Sequence, residues 1–374
     1  CLSASCICIL KIIIENEVFD IENEIDRIDA NFAVKASIEK DGMSFFSVDE
    51  KPFSVYGVFK EGGCYRRIPE SDAKLISMAV LSLSKNSAGG RVRFKTDSEH
   101  ISVIVKMSSV GNMPHFALTG SAGLDAFAEC EGREQYAGTF IPPYGITDGF
   151  EGTVGFSGRK MRAITIFLPT YSTVSELYIG VDAGSRLEKS AAYKISSPVV
   201  YYGSSITQGA CSSRPGNTYQ GIISRRLGCD FINLGFSGNA KGEPLMAEYI
   251  AGLDMSAFVY DYDHNAPSAE HLEKTHSQMF KIIRRAHPGI PVIILPRPKY
   301  YLTADEKRRF EIIKATYDSA VASGDENVYF IDGRTLMADA ADNGTVDNCH
   351  PNDWGFACMA KAVGDILEKA LPGN

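Results

Sequence analysis

Between residues 43 and 181, apolar side chains occur in short runs rich in β-branched and aromatic residues, bounded by Gly, Pro, Asn and Ser. Several runs alternate apolar with polar positions, as Arg91-Val92-Arg93-Phe94-Lys95 does, which is typical of a strand with one buried and one solvated face. The predicted strands cover residues 53–58, 79–83, 92–95, 101–107, 116–119, 153–156, 163–168 and 175–181. Short strands at this spacing predict an antiparallel, jelly-roll-like β-sandwich.

Beyond residue 184 the pattern changes to continuous apolar runs that alternate with helical segments. The runs cover residues 199–202, 231–234, 257–260, 292–295 and 328–331, and the helices 218–227, 269–286, 304–323 and 354–371. Buried strands separated by helices predict an α/β domain with a doubly wound, five-stranded parallel sheet. We therefore expect a sandwich domain at residues 1–184 and an α/β domain at 185–374, with ligands bound beyond the carboxyl ends of the strands.

The first 30 residues have a pattern of their own. Apolar residues at 14, 18, 21, 25 and 28 alternate with acidic ones, which predicts an amphipathic helix, with a strand pair as the alternative. Residues 1–14 are apolar but lack a basic segment before them and are too short to span a bilayer. We favour a cytoplasmic location and leave secretion and the origin of these residues open.

Composition narrows the class of partner. The chain has 374 residues, 44% of them apolar, and 38 basic against 46 acidic side chains give a net charge of -8. This charge disfavours nucleic acid, because a polyphosphate backbone would be repelled, and no segment predicts a membrane partner. The nine cysteines lack the paired short spacings of a zinc site. The composition is compatible with a homo-oligomer.

The first segment with candidate chemistry follows the first apolar run of the α/β domain. Gly203-Ser204-Ser205 forms a predicted strand-to-helix turn, where a serine hydroxyl projects into the ligand crevice and its amide faces the same pocket. The alternative is a serine that only caps the helix or forms the turn.

Two further segments leave the second and third apolar runs. Gly238 can present its backbone N–H to an oxyanion, or serve only the turn, and the Asn265 side chain can donate an N–H to the same charge. His264 beside it is the second candidate for a catalytic base, although a role in securing the loop is favoured.

The last segment precedes the final helix. Asp347 stands three residues before His350, so its carboxylate can reach the histidine Nδ1–H and leave Nε2 to accept a serine proton. The alternative is a surface loop in which residue 352 or 353 caps the helix. Cys349 is a weaker nucleophile candidate, since a serine arrangement accounts for the same histidine.

Serine, glycine, asparagine and Asp-x-x-His segments in this order at strand ends resemble the SGNH, or GDSL, hydrolases. The resemblance covers residue 198 to the C-terminus and implies that Ser205 is the nucleophile and that Asp347 orients the base His350. It further implies an oxyanion hole formed by the amides of Ser205 and Gly238 with the side chain of Asn265. The family usually has Gly-Asp-Ser, whereas here Ser204 takes the place of the loop-bracing residue.

The domain order implies more about function. A sandwich before such a domain is similar to a bacterial subgroup that includes carbohydrate acetylesterases, and residues 123–127, Gly-Leu-Asp-Ala-Phe, resemble its Gly-x-Asp-Leu-Tyr motif. The expected reaction is hydrolysis of a short-chain acyl ester, with an O-acetylated carbohydrate as first choice of substrate and no metal or organic cofactor. A lipase or thioesterase, and a non-catalytic carbohydrate-binding protein, are the alternatives.

Candidate substrate contacts complete the prediction. Arg214, Asn217 and Tyr219 follow the serine segment and His264 precedes Asn265, so all four can line the same pocket. Trp354 lies four residues after His350 and can stack on a sugar ring, or pack at the start of the last helix. The identity of the acyl group and of the alcohol is left open.

Overall fold

The structure is a computed structural model that describes residues 38–371. The helix predicted near residues 14–28 lies outside these described residues.

Strands β1 to β13 are Ile38–Lys40, Met43–Ser47, Ser54–Tyr56, Phe59–Glu61, Cys64–Arg66, Arg91–Thr96, His100–Ser109, Leu124–Cys130, Arg133–Phe140, Gly149–Gly155, Arg162–Phe167, Thr173–Asp182 and Leu187–Glu188. Strands β14 to β18 are Ile195–Gly203, Cys229–Gly235, Ala257–Asp261, Val292–Ile294 and Val328–Phe330. Helices α1 to α9 are Glu70–Ile76, Met78–Leu83, Leu118–Ser121, Ser205–Gln208, Tyr219–Leu227, Pro244–Ala251, Ala269–Ala286, Ala304–Ala322 and Asp353–Ala370, and Pro215–Asn217 and Ala338–Gly344 are 3₁₀ helices.

The N-terminal part is a sandwich of two antiparallel sheets. One sheet has the order β1-β2-β12-β7-β10, and the other has β13-β6-β11-β8-β9 with β3 added beside β6. Alternate residues of these strands, such as Val92, Phe94, Val103 and Ile166, are fully buried between the sheets. Since β13 pairs with β6, the sandwich continues to Glu188, a few residues beyond the predicted boundary.

Two of the predicted strands are wrong. Residues 79–83 lie in helix α2, whose first turn is capped by the Ser77 hydroxyl as it accepts the Val80 N–H. Residues 116–119 enter the short helix α3. Both runs are only four or five residues long, and an apolar run of that length fits a buried helix face as well as a strand.

The C-terminal part has the predicted parallel sheet. Its order, β15-β14-β16-β17-β18, is the 2-1-3-4-5 order of flavodoxin-like folds, and buried clusters cover both faces. All five strands overlap the apolar runs, and α5, α7, α8 and α9 match the predicted helices to within one residue at each end. The predicted fold class is therefore confirmed, with α6 as an additional helix.

The two parts share a polar interface along strand β15. Arg67 is buried and donates to the backbone oxygens of Asn233 and Gly235 at 3.1 and 2.5 Å. Arg91 is also buried, pairs with Asp230 and covers the ring of Phe231 at 3.8 Å. A guanidinium buried with such partners fixes the relative position of the surfaces it joins.

Within residues 38–371, no helix combines the length and apolar character needed to cross a bilayer.

Candidate active site

Ser205 lies where strand β14 turns into helix α4. Strand β14 is flanked by β15 and β16, so its carboxyl end is the topological switch point at which such sheets bind ligands. A Cβ on Gly203 would lie 2.1 Å from Thr207 Oγ1 and 2.5 Å from the Asp261 oxygen, so only glycine fits there. Ser204 caps α4, because its hydroxyl accepts the N–H of Ile206 at 3.2 Å.

Ser205, His350 and Asp347 form one chain of hydrogen bonds. Ser205 Oγ lies 2.9 Å from His350 Nε2, and His350 Nδ1 lies 2.8 Å from Asp347 Oδ2. The second carboxylate oxygen accepts the backbone N–H groups of Cys349 and His350 at 3.1 and 2.8 Å. Asn348 takes the left-handed conformation, with φ of 62°, that closes this tight turn. The structure thus brings together the three residues predicted from sequence.

The turn also favours ionisation of Asp347. Partial burial raises its pKa, but the backbone N–H of His350, the His350 ring and the Cys349 N–H outweigh burial and hold the pKa below its usual value. An ionised carboxylate on Nδ1 fixes the tautomer that leaves Nε2 free to accept a proton from Ser205.

The two predicted N–H donors, Gly238 and Asn265, follow the strands on either side of β14. Gly203 is in register with Gly235 on one side and with Asp261 on the other, and Gly238 and Asn265 follow these residues closely. Gly238 has a φ of 68°, and a Cβ added there would have no atom within 4 Å, so one side of its backbone is open. Asn265 Oδ1 accepts the N–H of Ala240 at 3.3 Å. In this orientation the amide nitrogen Nδ2 points away from Ala240 and can act as a donor.

A buried ion pair holds the loop that carries Asn265. Asp263 accepts Arg297 Nε and Nη2, each at 2.8 Å, and the Arg297 backbone N–H at 3.1 Å. Arg297 also donates to Glu306 at 2.9 Å, and Arg309 donates to the oxygen of Ala266 at 3.1 Å. The loop is therefore fixed from the segment that follows strand β17 and from helix α8.

His264 and Cys349 contact each other and have no hydrogen bond to Ser205 among the described residues. Cys349 Sγ lies 3.9 Å from His264 Nδ1, and burial lowers the pKa of His264 to about 4 while it raises that of Cys349. Because the imidazole is neutral and the thiol is protonated, the thiolate that nucleophilic attack requires is absent. His264 as the base, the second candidate from sequence, is therefore wrong in this structure, since His350 takes that position.

His115 lies at the site although it is not among the residues predicted from sequence. It lies in the sandwich, in the segment between β7 and α3, and its Nε2 is 4.0 Å from Asp347 Oδ2. Its ring centroid is 5.7 Å from that of His350. Phe116 beside it packs with Tyr171 and Cys211 in a small apolar cluster. The sandwich therefore forms one wall of the site.

The predicted substrate contacts have different outcomes. Tyr219 is fully buried between the rings of Tyr201 and Phe356, so its prediction as a substrate contact is wrong: the side chain at the first position of α5 faces the core. The Arg214 guanidinium covers the Tyr136 ring at 3.8 Å and lies 3.8 Å from Asp125, contacts that tie it to the sandwich. Trp354 is 52% exposed in the first turn of α9, and its role stays a prediction.

The loop after the serine links the sandwich to the histidine segment. Asp125, in the Gly-x-Asp-like motif, is fully buried and accepts the Gly216 N–H at 3.0 Å, and burial raises its pKa to about 6. In the same loop, Ser213 N and Asn217 Nδ2 donate to Asp353, at 2.8 and 2.9 Å, in the first turn of α9. Because α9 begins three residues after His350, the contacts from Asp125 through this loop to Asp353 restrain the position of the histidine.

One group of side chains has the spacing of a metal site. His115, Cys211 and His350 each offer a ligand atom, and these atoms lie within 4.8 Å of one another. Burial raises the pKa of Cys211 to about 12, which keeps the thiol protonated, and both ring nitrogens of His350 already have partners. These residues therefore fit a resident metal poorly.

A hydrogen-bonded Ser–His–Asp set is the arrangement that serine hydrolases of several unrelated folds share, and here it lies at the switch point of a flavodoxin-like sheet. Residues 196–368 match the GDSL-like lipase/acylhydrolase family, and residues 43–187 match the GxDLY family, the N-terminus of SGNH-hydrolase-type esterases. The two parts of the chain therefore match a GDSL-like acylhydrolase family and the N-terminal family of SGNH-type esterases, and the resemblance stated from sequence is confirmed.

Solved structures agree with this assignment. The chain is 29% identical to a GDSL-like lipase candidate from Bacteroides ovatus, with a TM-score of 0.79, over 87% of this chain and 98% of that one. It shares the fold of the salicylyl-acyltransferase SsfX3 of a tetracycline biosynthetic pathway, at 20% identity and a TM-score of 0.71 over 88% and 98%. It also shares the fold of a family two carbohydrate esterase from Clostridium thermocellum, solved with cellohexaose, at 14% identity and a TM-score of 0.56 over 76% and 93%. No curated relative was found to match the chain.

Proposed function

We propose that this protein is a serine esterase that removes short-chain acyl groups, first of all O-acetyl groups, from a carbohydrate. The observation that carries the proposal is the continuous hydrogen-bond chain from Ser205 Oγ through His350 to Asp347. A hydroxyl, a base and an orienting carboxylate in this order are sufficient for acyl transfer through a covalent intermediate.

In the first half of the proposed reaction, His350 Nε2 takes the Ser205 proton as Oγ bonds to the ester carbonyl carbon. The carbonyl oxygen becomes an oxyanion that the amides of Ser205 and Gly238 and the Asn265 side chain stabilise. As the C–O bond to the alcohol breaks, His350 returns the proton to the leaving oxygen. Water, deprotonated by the same nitrogen, then attacks the acyl-serine; the bond from the acyl carbon to Ser205 Oγ breaks, the acid leaves, and His350 returns the proton to Oγ.

The size of the acyl group is inferred from the small apolar cluster that contains Phe116 and Cys211. Phe116 and Cys211 are buried beside the site, and Cys211 Sγ is within 4.8 Å of a ligand atom of His350. Filled volume at that position leaves little room for a long chain and supports an acetyl group. The carbohydrate is supported by the shared fold with the esterase solved with cellohexaose.

Acetate release from acetylated oligosaccharides and 4-nitrophenol release from 4-nitrophenyl esters of increasing acyl length test the proposal. We expect turnover with acetyl esters, a steep loss beyond butyryl, and at least a 10³-fold loss of kcat in Ser205→Ala. The matched control is Ser204→Ala, which removes a neighbouring hydroxyl and a helix cap and should keep most of the turnover.

Two results would contradict the proposal. Unchanged acetate release by Ser205→Ala would assign the nucleophile elsewhere, and an absence of release by the unaltered protein would favour a carbohydrate-binding protein without catalysis. Preference for long acyl chains would instead favour the lipase or thioesterase alternative.

A further inference from the structure

Two neighbouring tyrosines are exposed on the segment that follows strand β17. Tyr300 and Tyr301 have 58% and 77% of their surface exposed, and their rings meet edge to face with centroids 4.7 Å apart. Strand β17 belongs to the same parallel sheet as β14, so this segment leaves the same carboxyl edge as Ser205. Adjacent exposed aromatic rings at a ligand-binding edge are a feature of binding surfaces.

Cavities lie on two sides of the tyrosine pair. One has a volume of about 290 Å³ and is lined by both tyrosines together with Lys299, Arg334 and Asn348. The other, of about 330 Å³, shares both tyrosines and Arg334. Asn348 is two residues from His350, so their Cα atoms are at most about 7.6 Å apart, and the first cavity begins beside the histidine turn.

The two cations that line the first cavity are paired. Lys299 Nζ donates to Glu306 at 2.9 Å, and the Arg334 guanidinium binds Asp332 at 2.5 Å. The first cavity therefore offers N–H donors and aromatic faces but little unpaired positive charge. Such a surface suits an uncharged ligand with many hydroxyl groups better than an anion.

The segment is held at both ends. Arg297 is fixed by Asp263, and Thr303 and Glu306 form a reciprocal capping box at the start of α8. Anchored ends reduce the conformational entropy that the two tyrosines lose when a ligand binds.

We propose that Tyr300 and Tyr301 form a subsite that binds sugar units of the same oligosaccharide, one or two units from the acyl-bearing residue. This inference rests on the proposed carbohydrate esterase function and adds where the rest of the sugar chain is bound. The apolar faces of the pyranose rings stack on the tyrosines, and the hydroxyl groups accept hydrogen bonds from Lys299, Arg334 and Asn348.

The test compares Tyr300→Ala, Tyr301→Ala and the double variant with Tyr144→Ala, a fully exposed tyrosine between β9 and β10 of the sandwich. With partially acetylated cellohexaose or xylohexaose as substrate, we expect kcat/KM to fall at least 10-fold in the double variant, mainly through KM. With 4-nitrophenyl acetate, which does not reach the subsite, the change should be less than 2-fold. Tyr301→Trp, which keeps an aromatic face, should restore the oligosaccharide activity, and Tyr144→Ala should behave like the unaltered protein.

Direct binding separates this inference from the proposed function. Calorimetry of cellohexaose and xylohexaose with Ser205→Ala should show binding that is lost when the two tyrosines are also replaced. If esterase activity is absent but this tyrosine-dependent binding is present, the subsite stands and the proposed function fails. If the esterase is active but the double variant loses nothing on oligosaccharides, or loses equally on both substrates, the subsite is overturned. The absence of binding to either sugar also overturns it.

Discussion

At the scale of single residues, two adjacent serines at the end of β14 have different surroundings. Ser204 Oγ accepts the N–H of Ile206 and so stabilises the start of α4, whereas Ser205 Oγ points to His350. The Ser204 hydroxyl is held by the backbone as a helix cap, whereas the Ser205 hydroxyl is hydrogen-bonded to the imidazole of His350. The replacement of Asp by Ser before the nucleophile is therefore compatible with the same turn, because a serine oxygen is also a good helix cap.

Asp347→Asn should lower kcat by roughly 10²- to 10⁴-fold with little change in KM. An amide can present N–H to His350 Nδ1, which favours the tautomer that cannot accept the serine proton. Steady-state kinetics with 4-nitrophenyl acetate measure the effect. The exposed Asp339→Asn in the preceding 3₁₀ helix is the control, and an Asp347 variant with unchanged kcat would rule out the orienting role.

Asn265→Ala should lower kcat by roughly 10²- to 10³-fold, the usual loss when one oxyanion donor is removed. Asn265→Asp has the same shape but places an acceptor and a charge where a donor is needed, so it should be at least as damaging. Comparison of the two variants by kcat and by melting temperature separates the electrostatic effect from loss of fold. A fully active Asn265→Asp would contradict the donor assignment.

At the scale of elements, the helices of the α/β part and the strands between them could be predicted, whereas two short runs of the sandwich could not. Five apolar runs and four helices of the α/β part match the predicted positions, because short apolar runs that alternate with long helical segments indicate a parallel sheet. Residues 79–83 and 116–119 were misassigned as strands, since the few residues of each run fit either structure. Tyr219 was misplaced for a related reason: proximity in sequence to Ser205 does not tell which face of α5 it occupies.

Asp263→Asn should destabilise the protein by about 3–5 kcal/mol, because it leaves the largely buried Arg297 without its main partner. The same change should lower activity by displacing Asn265. Urea unfolding at pH 7 measures the stability, and Asp305→Asn, which removes an exposed partner of Arg309, is the control with an expected loss below about 1 kcal/mol. A loss as small as that of the control would contradict a structural role for the Asp263–Arg297 pair.

This pair also predicts a pH dependence. Burial raises the pKa of Asp263, but the hydrogen bonds from Arg297 and its positive charge outweigh burial and hold the pKa below its ordinary value. The stabilisation is therefore fully present above the unfolded pKa, near 4, and is lost as the pH falls through the lower folded pKa. The difference in free energy of unfolding between the unaltered protein and Asp263→Asn should be constant from pH 5 to 8 and shrink below pH 4. A difference that grows on acidification has the wrong sign for this account.

At the scale of the whole molecule, the sandwich is part of the site rather than an independent attachment. His115 approaches Asp347, Arg67 binds the strand end before Gly238, and Asp125 holds the loop that braces α9. Sequence patterns could predict both sheets, but they could not predict these contacts, because each joins residues more than 90 positions apart. A histidine in the Gly- and Pro-containing stretch at residues 110–117 was the available signal for His115.

Asp125→Ala should cost about 3 kcal/mol of stability, since it leaves the Gly216 N–H and the nearby guanidinium of Arg214 without a buried acceptor. It should also lower kcat several-fold by loosening the contacts of Ser213 and Asn217 with Asp353. Asp125→Asn keeps the acceptor for Gly216 and should lose less of both. Urea unfolding and kinetics with 4-nitrophenyl acetate test this, and an Ala variant with full stability and activity would show that the motif has no role in coupling the two parts.

The central claim is that Ser205 is a nucleophile activated by His350. Reaction with a fluorophosphonate, which transfers its phosphonyl group to an activated serine and releases fluoride, followed by peptide mass spectrometry, tests it directly. The account predicts a single adduct on Ser205 that persists in Ser204→Ala and is nearly abolished in His350→Ala. An adduct on Ser204, or a folded protein that takes no label, would contradict it.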